Sequence, residues 1–438
     1  MQRSVRRAAA FAVVGTLALP ATVVDPPLLA AVPFALIAVV GRLVSGGPAF
    51  ELFARPEDRL EGQLRGLVAF SLVATGLALL TSLTGLPASV FVASVLLVAF
   101  GNLTETVVCE RRDTPLRRAT GFGAGGAAAA FAGQVIVPGA AGVPVDAALA
   151  AFLAVSGALV GAVLRASLLG KDDPAVMASA ALALWVLASL GIEVDPVGLV
   201  VALAVAGAMG YLAWLLGTAS VTGMLTGVFM GLVTIVLGGF GWFVALIAFF
   251  GIGGFASKYR YEEKRELGVA EANEGARGTR NVLANAAVAI LAVVGFAASP
   301  RLAADAGVFV LAFAGSLATA MSDTLSSELG VLYGDPKLIT SLERVRPGTD
   351  GGVTLEGSLA GAAGALTVAA VALALLGVTP IGAGIVVVGG VVGMMVDSLL
   401  GAVVEGRGLG NQSVNFLATL SGAVFTVGAG VALGLVAL

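Results

Sequence analysis

This sequence predicts an all-α fold, a polytopic bundle of membrane-spanning helices, on three observations. Of its 438 residues 58% are hydrophobic and only 12% charged, and the mean hydropathy is +1.02, more apolar surface than a water-soluble domain can bury. Apolar runs of about 20 residues, the length a helix needs to cross the hydrocarbon core, recur from end to end. The 61 glycines fit the same reading, because small residues let membrane helices approach closely; Gly223, Gly227 and Gly231 form one such ladder.

Taken in order, about fifteen spans are expected. They centre in 8–24, 27–45, 64–84, 87–108, 119–137, 146–168, 174–190, 194–216, 218–238, 240–256, 281–298, 304–322, 355–377, 380–402 and 412–436, the first two and the seventh being short. The basic start "MQRSVRR" is read as the flank of the first span. Basic residues alternate between loops. Arg55, Arg59 and Arg65, then Arg111, Arg112, Arg117 and Arg118, then the loops near 257–280 and 323–353 all fall on the side of the N-terminus. Opposite loops such as "TSLTGLPAS" carry almost none. The excess of positive charge on cytoplasmic loops therefore predicts a cell-membrane protein with its N-terminus inside and its C-terminus outside.

Segments of the first half read like segments of the second. "RLEGQLRGLVAFSLVATGLALL" resembles "ANEGARGTRNVLANAAVAILAVVG", "AFGNLTETVV" resembles "TAMSDTLSSELG", and "GAVLRASLLG" resembles "GMMVDSLLG". Two degenerate parallel repeats are expected: 1–193, a linker helix at 194–216, and 217–438. The halves differ chemically. Asn102 stands where the second half has Asp323, and Ala166 or Arg165 where it has Asp397.

Function is sought in the few polar residues that lie in or beside apolar runs. Asp323, in "ATAMSDTLSSELG", shares a helical face with Thr319, Ser326 and Ser327, and Glu328 follows; Asp397 lies inside "VGMMVDSLLG". Ionisable residues within spans are costly and mark functional sites. There is no histidine and only one cysteine, Cys109, so a metal here takes oxygen ligands, which favours Mg²⁺ or Mn²⁺. The loop 334–358 holds "PGTDGG", a glycine-rich turn of Gly348, Thr349, Asp350, Gly351 and Gly352 whose N–H groups can converge on an anion, with Lys337, Arg344 and Arg346 nearby. Arg277 and Arg280 precede the pair Asn281 and Asn285, and Asn411 and Asn415 repeat that four-residue spacing at the last span. No P-loop occurs, and "GFGAGG" at 121–126 opens an apolar span and follows no strand, which excludes a dinucleotide fold. Nothing in the composition points to a nucleic-acid partner.

"GTRNVLANA", "TAMSDTLSSELG", "PKLITSLERVRPGTDGGVTLEGSLAG" and "VGMMVDSLLGAVVEGRGLGNQSVNFLAT" together resemble the integral-membrane family of animal transmembrane protein 19 and the plant phytyl-phosphate kinase. The family's Asp-Thr-Trp-Ala-Ser-Glu reads "DTLSSE" here, which keeps the acidic and serine positions and loses the aromatic. The resemblance implies phosphoryl transfer from CTP or another nucleoside triphosphate to an isoprenyl monophosphate at the cytoplasmic face. On that reading Asp323, Asp397 and Glu328 are catalytic, and Asp323, Asp397, Asn411 and Asn415 hold the metal. The 348–352 turn with Lys337, Arg344, Arg346 and Asn281 binds phosphate, and Arg277 and Arg280 grip the acceptor. Two other readings use the same residues: a membrane transporter, and a cytidylyltransferase acting on a lipid phosphate.

Overall fold

A computed structural model describes residues 3–22, 27–167, 172–270, 278–405 and 408–437. The chain divides into two compact units, Met1–Leu199 and Val200–Leu438.

The first unit contains α1 (Arg3–Thr16), α2 (Val32–Leu43), α3 (Gly47–Phe53), α4 (Pro56–Glu61), α5 (Arg65–Leu83), α6 (Ala88–Cys109), α7 (Pro115–Ala140), α8 (Ala147–Ser167) and α9 (Asp173–Ser189). Its polar interior is an ion-pair network. The Arg165 guanidinium on α8 donates from Nε to Glu105 Oε2 of α6 at 2.7 Å, and Arg55 and Arg165 both pair with Asp173.

The second unit continues from α10 (Pro196–Leu215), which starts at the boundary, through α11 (Val221–Gly238), α12 (Phe240–Lys258), the short α13 (Tyr261–Glu266), α14 (Thr279–Leu302) and α15 (Ala306–Gly330). A two-stranded antiparallel ribbon follows, β1 (Lys337–Leu338) and β2 (Gly352–Val353), with Lys337 opposite Val353. Then come α16 (Leu355–Leu375), α17 (Pro380–Val404) and α18 (Asn411–Ala432). Helix starts follow local chemistry. Ser220, Thr354 and Thr379 each accept a hydrogen bond from a backbone N–H three residues on, which satisfies a donor the first turn leaves open.

Among the described residues twelve helices are long and apolar enough to cross a membrane, and a thirteenth span arises if the bent pair Leu28–Leu43 and Gly47–Phe53 counts as one. The chain is thus a polytopic all-α membrane protein with fewer full-length spans than the fifteen expected. The difference lies in the three segments read as short. α1 stops at Thr16, and the chain turns before Pro20; α2 is broken from α3 by a 110° bend at Gly46 and Gly47; α9 has 17 residues and gives way to Gly191 in a left-handed conformation.

α15 is the hub of the second unit: most of its apolar stretch is buried, and it packs against α12, α14, α16, α17 and α18. Its contact with α17 is so close that only glycine fits. A Cβ on Gly393 would lie 2.2 Å from Thr319 Oγ1, and one on Gly390 would lie 2.9 Å from Ala318 Cβ. Ser322 Oγ donates to Met394 Sδ at 3.3 Å, so residue numbers rise together along both helices and the two run parallel. One turn beyond Thr319 and Gly393 stand Asp323 and Asp397.

Candidate functional site

The close packing of α15 on α17 brings the two intramembrane carboxyls together: Asp397 lies within hydrogen-bond reach of Asp323. Both are half-buried. Carboxyl groups held against one another need a proton or a cation between them. Around them opens a cleft of about 220 Å³. Its wall includes Asn281 and Asn285 from α14, Asp323, Thr324, Ser326, Ser327 and Glu328 from α15, residues 347–352 from the loop, and Asp397, Glu405, Asn411 and Asn415 from the α17–α18 end.

The amides are arranged around the acids. Asn285 Nδ2 donates to the backbone carbonyl of Asn281 at 2.9 Å, and Asn281 Oδ1 is buried with no hydrogen-bond partner. With its amide turned to suit its neighbours, Asn415 donates to Asp397 Oδ1 at 3.3 Å and to Asn411 Oδ1 at 3.3 Å. Glu328 also lines the cleft, but its carboxylate has its own cation. Lys264 of α13, 1% exposed, donates to Glu328 Oε2 at 2.7 Å and to the Ala256 carbonyl at 2.8 Å.

The "PGTDGG" turn closes the cleft from the loop side. Gly348 and Gly351 have φ of +79° and +77°. The N–H of Thr349 donates to Arg346 O, and that of Gly352 to Thr349 O. A Cβ on Gly351 would sit 2.4 Å from Ala402 Cβ and 2.7 Å from Ser398 O, so the turn is pressed against α17 just beyond Asp397. Gly351→Ala combines a left-handed backbone with this clash. It is expected to cost about 2–4 kcal/mol, read as a lower thermal midpoint in detergent, whereas Gly227→Ala, whose Cβ meets nothing within 4 Å, is expected to change it little.

The structure separates the expected residues into two groups. Asp323, Glu328, Asp397, Asn281, Asn411, Asn415 and the 348–352 turn share the cleft. Lys337, Arg344, Arg346 and Arg280 are exposed and are not part of its wall, and Arg344 pairs with Asp335 at 3.3 Å. Arg277 lies outside the described residues. Among the described residues the wall therefore carries five carboxyl groups, on Asp323, Glu328, Asp350, Asp397 and Glu405, and no lysine or arginine.

Two participants escaped the sequence reading. Lys264 was hidden in the basic run "KYRYEEKRE", where any one cation looks like another. Glu405 ends α17 in "VVEGRG". Burial, with Asp350 and Asp397 close by, raises its carboxyl above the usual carboxylate range. A raised carboxyl contributes stability that is complete below its unfolded-chain value, about pH 4, and lost as the pH rises through the folded value. Glu405→Gln is thus expected to raise the thermal midpoint slightly at neutral pH in chelator-treated protein, and the gain is expected to vanish as the pH falls below about 4.

The donor set fits an oxygen-loving divalent cation. Two carboxylates in contact, the unpartnered Asn281 Oδ1 and the Asn411–Asn415 amides offer oxygen. Among the described residues no three acidic or cysteine side chains form a preformed metal cage. That suits Mg²⁺, which takes one or two carboxylates and completes its shell with water and substrate phosphates.

Fold and site define a multi-pass membrane protein with an acidic, amide-lined cleft at one end of a helical bundle. The chain belongs to the integral membrane protein DUF92 family, whose model matches residues 204–423 and so takes in every residue of the cleft wall. It is 36% identical over 205 residues to the uncharacterized membrane protein MJ0933 of Methanocaldococcus jannaschii, covering 45% of this chain and 80% of that one. It is 34% identical over 206 residues to the uncharacterized membrane protein sll0875 of Synechocystis sp., covering 43% and 74%. It is 33% identical over 196 residues to the chloroplastic protein VTE6 of Arabidopsis thaliana, covering 42% of this chain and 57% of that one. No solved structure matches the chain.

Proposed function

We propose that the protein is an integral-membrane kinase that transfers a phosphoryl group from CTP or another nucleoside triphosphate to an isoprenyl monophosphate at the cytoplasmic membrane face. The observation that carries the reading is the charge of the cleft. With Glu328 neutralised from behind by Lys264, the wall still carries four carboxyl groups and, among the described residues, no lysine or arginine, so it repels free phosphate yet accepts a phosphate chelated to a divalent ion. The family resemblance supplies the reaction; the acidic cleft supplies a site in which it can run.

Asp323 and Asp397, with Asn281, Asn411 and Asn415, would hold Mg²⁺ or Mn²⁺. Bound there, the ion would neutralise and orient the nucleotide phosphates. The chain's own residues do the rest. The 348–352 turn fixes one wall of the cleft. Lys264 neutralises Glu328, so that this carboxylate does not add to the repulsion. Lys337, Arg344 and Arg346 attract the nucleotide from solvent, and Arg280, at the start of α14, grips the acceptor phosphate. An acceptor phosphate oxygen forms the new bond to the γ-phosphorus. The bond from that phosphorus to the β-bridging oxygen breaks, and the nucleoside diphosphate leaves. Little covalent help is required, because positioning and charge neutralisation dominate such transfers.

The test combines purified protein in lipid, Mg²⁺, CTP or ATP, and geranylgeranyl monophosphate, with products read by mass spectrometry. Prenyl diphosphate and nucleoside diphosphate are expected, and chelation of the metal is expected to abolish both. Release of inorganic pyrophosphate with a nucleotidyl-lipid product would instead identify cytidylyl transfer. No product with any nucleotide, from folded protein, would refute the enzymatic reading.

A further inference from the structure

We propose that the first unit holds a second cleft laid out like the acidic one, in which the guanidinium of Arg165 stands where the acidic cleft would hold its divalent cation, so that this cleft takes no metal ion of its own. The comparison rests on the reading of the acidic cleft as a cation site; the arrangement of the first cleft rests on geometry.

The two clefts are assembled from matching parts. In the first unit α6 packs against α7, α8 and α9, as α15 packs against α16, α17 and α18 in the second. Asn102 in α6, which ends at Cys109, and Asp323 in α15, which ends at Gly330, each stand seven residues before the end of their helix. Gly161 of α8 lies against α6 and α7: a Cβ there would come 3.2 Å from Leu97 Cδ2 and 3.0 Å from Phe122 Cε1. Gly393 of α17 lies against Thr319 of α15. One turn on from these glycines come Arg165 and Asp397. Asp173 opens α9, and Asn411 opens α18. In the first unit the result is a cleft of about 380 Å³, with Asn102, Glu105, Arg165 and Asp173 in its wall.

What differs is the sign of one group. Asp397 meets Asp323 and leaves a place for a cation; Arg165 is itself a cation. Its Nε donates to Glu105 Oε2 at 2.7 Å and its Nη1 to Asp173 Oδ1, so one guanidinium bridges α6 and α9. Arg55 closes on the other oxygen of Asp173. Two carboxylates and two guanidiniums make a neutral cluster, and a divalent ion arriving there meets fixed positive charge. Glu105 is 15% exposed and Asp173 is 6% exposed, so water does little to stabilise either alone. Asn102, in the place of Asp323, keeps an oxygen for a cation: its Oδ1 is buried with no hydrogen-bond partner, as Asn281 Oδ1 is in the acidic cleft. Removing the guanidinium would strand largely buried oxygen ligands close together, the condition under which a hard cation binds.

The experiment uses the full chain in detergent micelles with Mn²⁺ as the probe, counted by electron paramagnetic resonance. Asp323→Asn with Asp397→Asn first removes the carboxyl pair of the acidic cleft. In that background the thermal midpoint is expected not to respond to Mn²⁺. Adding Arg165→Gln is expected to lower the midpoint in chelator and to create one Mn²⁺ site. Mn²⁺ is then expected to raise the midpoint by at least about 3 °C when the free ion is at roughly ten times its dissociation constant. Further addition of Glu105→Gln and Asp173→Asn is expected to abolish the response. Arg118→Gln in place of Arg165→Gln, which breaks an exposed pair with Asp113, is expected to create none. A merely structural tie would be lost with Arg165 and not restored by a metal ion. Where Arg165→Gln does not fold, Arg165→Lys, whose ammonium lacks the fork that reaches both carboxylates, is expected to respond in the same direction. A folded Arg165 variant whose midpoint ignores Mn²⁺ overturns the proposal, as does Mn²⁺ that binds with Arg165 in place and is lost on Glu105→Gln. Equal Mn²⁺ binding by wild type and the Asp323→Asn, Asp397→Asn background would instead refute the metal reading of the acidic cleft, and the Arg165 variants would still decide whether a guanidinium holds a cation's place in the first.

Discussion

Asp397→Asn is expected to lower diphosphate formation by on the order of 10²–10³-fold, the scale of losing one preorganised electrostatic contact in such a site. Asp323→Asn is expected to do the same. The two carboxyls touch, so each change removes half of the pair proposed to hold the cation. The change is expected to leave the fold intact, because an amide of the same shape replaces a carboxyl that faces another carboxyl. The combination is diagnostic: turnover falls, while the thermal midpoint of chelator-treated protein stays level or rises. Addition of Mg²⁺ is expected to raise the wild-type midpoint and to have little effect on either variant. A variant with near-normal turnover would remove these carboxylates from the reaction.

The second large effect concerns stability. Lys264→Ala leaves the Glu328 carboxylate, 11% exposed, without its cation and empties a site that is 1% exposed. Breaking a buried pair from one side costs about 3–5 kcal/mol, seen as a marked fall in the thermal midpoint. Replacing both partners with apolar residues, Lys264→Met with Glu328→Leu, is expected to restore much of the loss, because no charge is then stranded. A single variant as stable as the wild type would show that water reaches the pair.

Much of this architecture was legible in the sequence, because the bilayer imposes a simple rule: long apolar runs become helices. The misjudged segments were those where a proline or a glycine pair interrupts a run, as around Pro20 and at Gly46–Gly47. Asp323 and Asp397 stood out because acids in apolar runs are rare. Their partnership was not visible, since it depends on Gly390 and Gly393 letting α17 close on α15. The position of the loop cations was not legible for a related reason. Lys337, Arg344 and Arg346 are near the glycine turn in sequence, but the ribbon holds them at the surface and leaves the cleft wall to carboxyls and amides. Lys264 and Glu405 act through tertiary neighbours 64 and 55 residues away, at Glu328 and Asp350, and no local pattern announces such pairs.

The ion-pair network of the first unit bears on how the chain is made. Glu105 lies near the end of α6 and Arg165 near the end of α8, with α7 between them in sequence. Each charge is unfavourable to hand to lipid alone, and the two neutralise each other once the helices are side by side. The three helices therefore have reason to leave the insertion machinery as a set, with α6 retained until α8 has been synthesised. A ribosome-bound chain halted before Arg165 should remain associated with the translocation channel, and one halted well after Asp173 should be released into the bilayer.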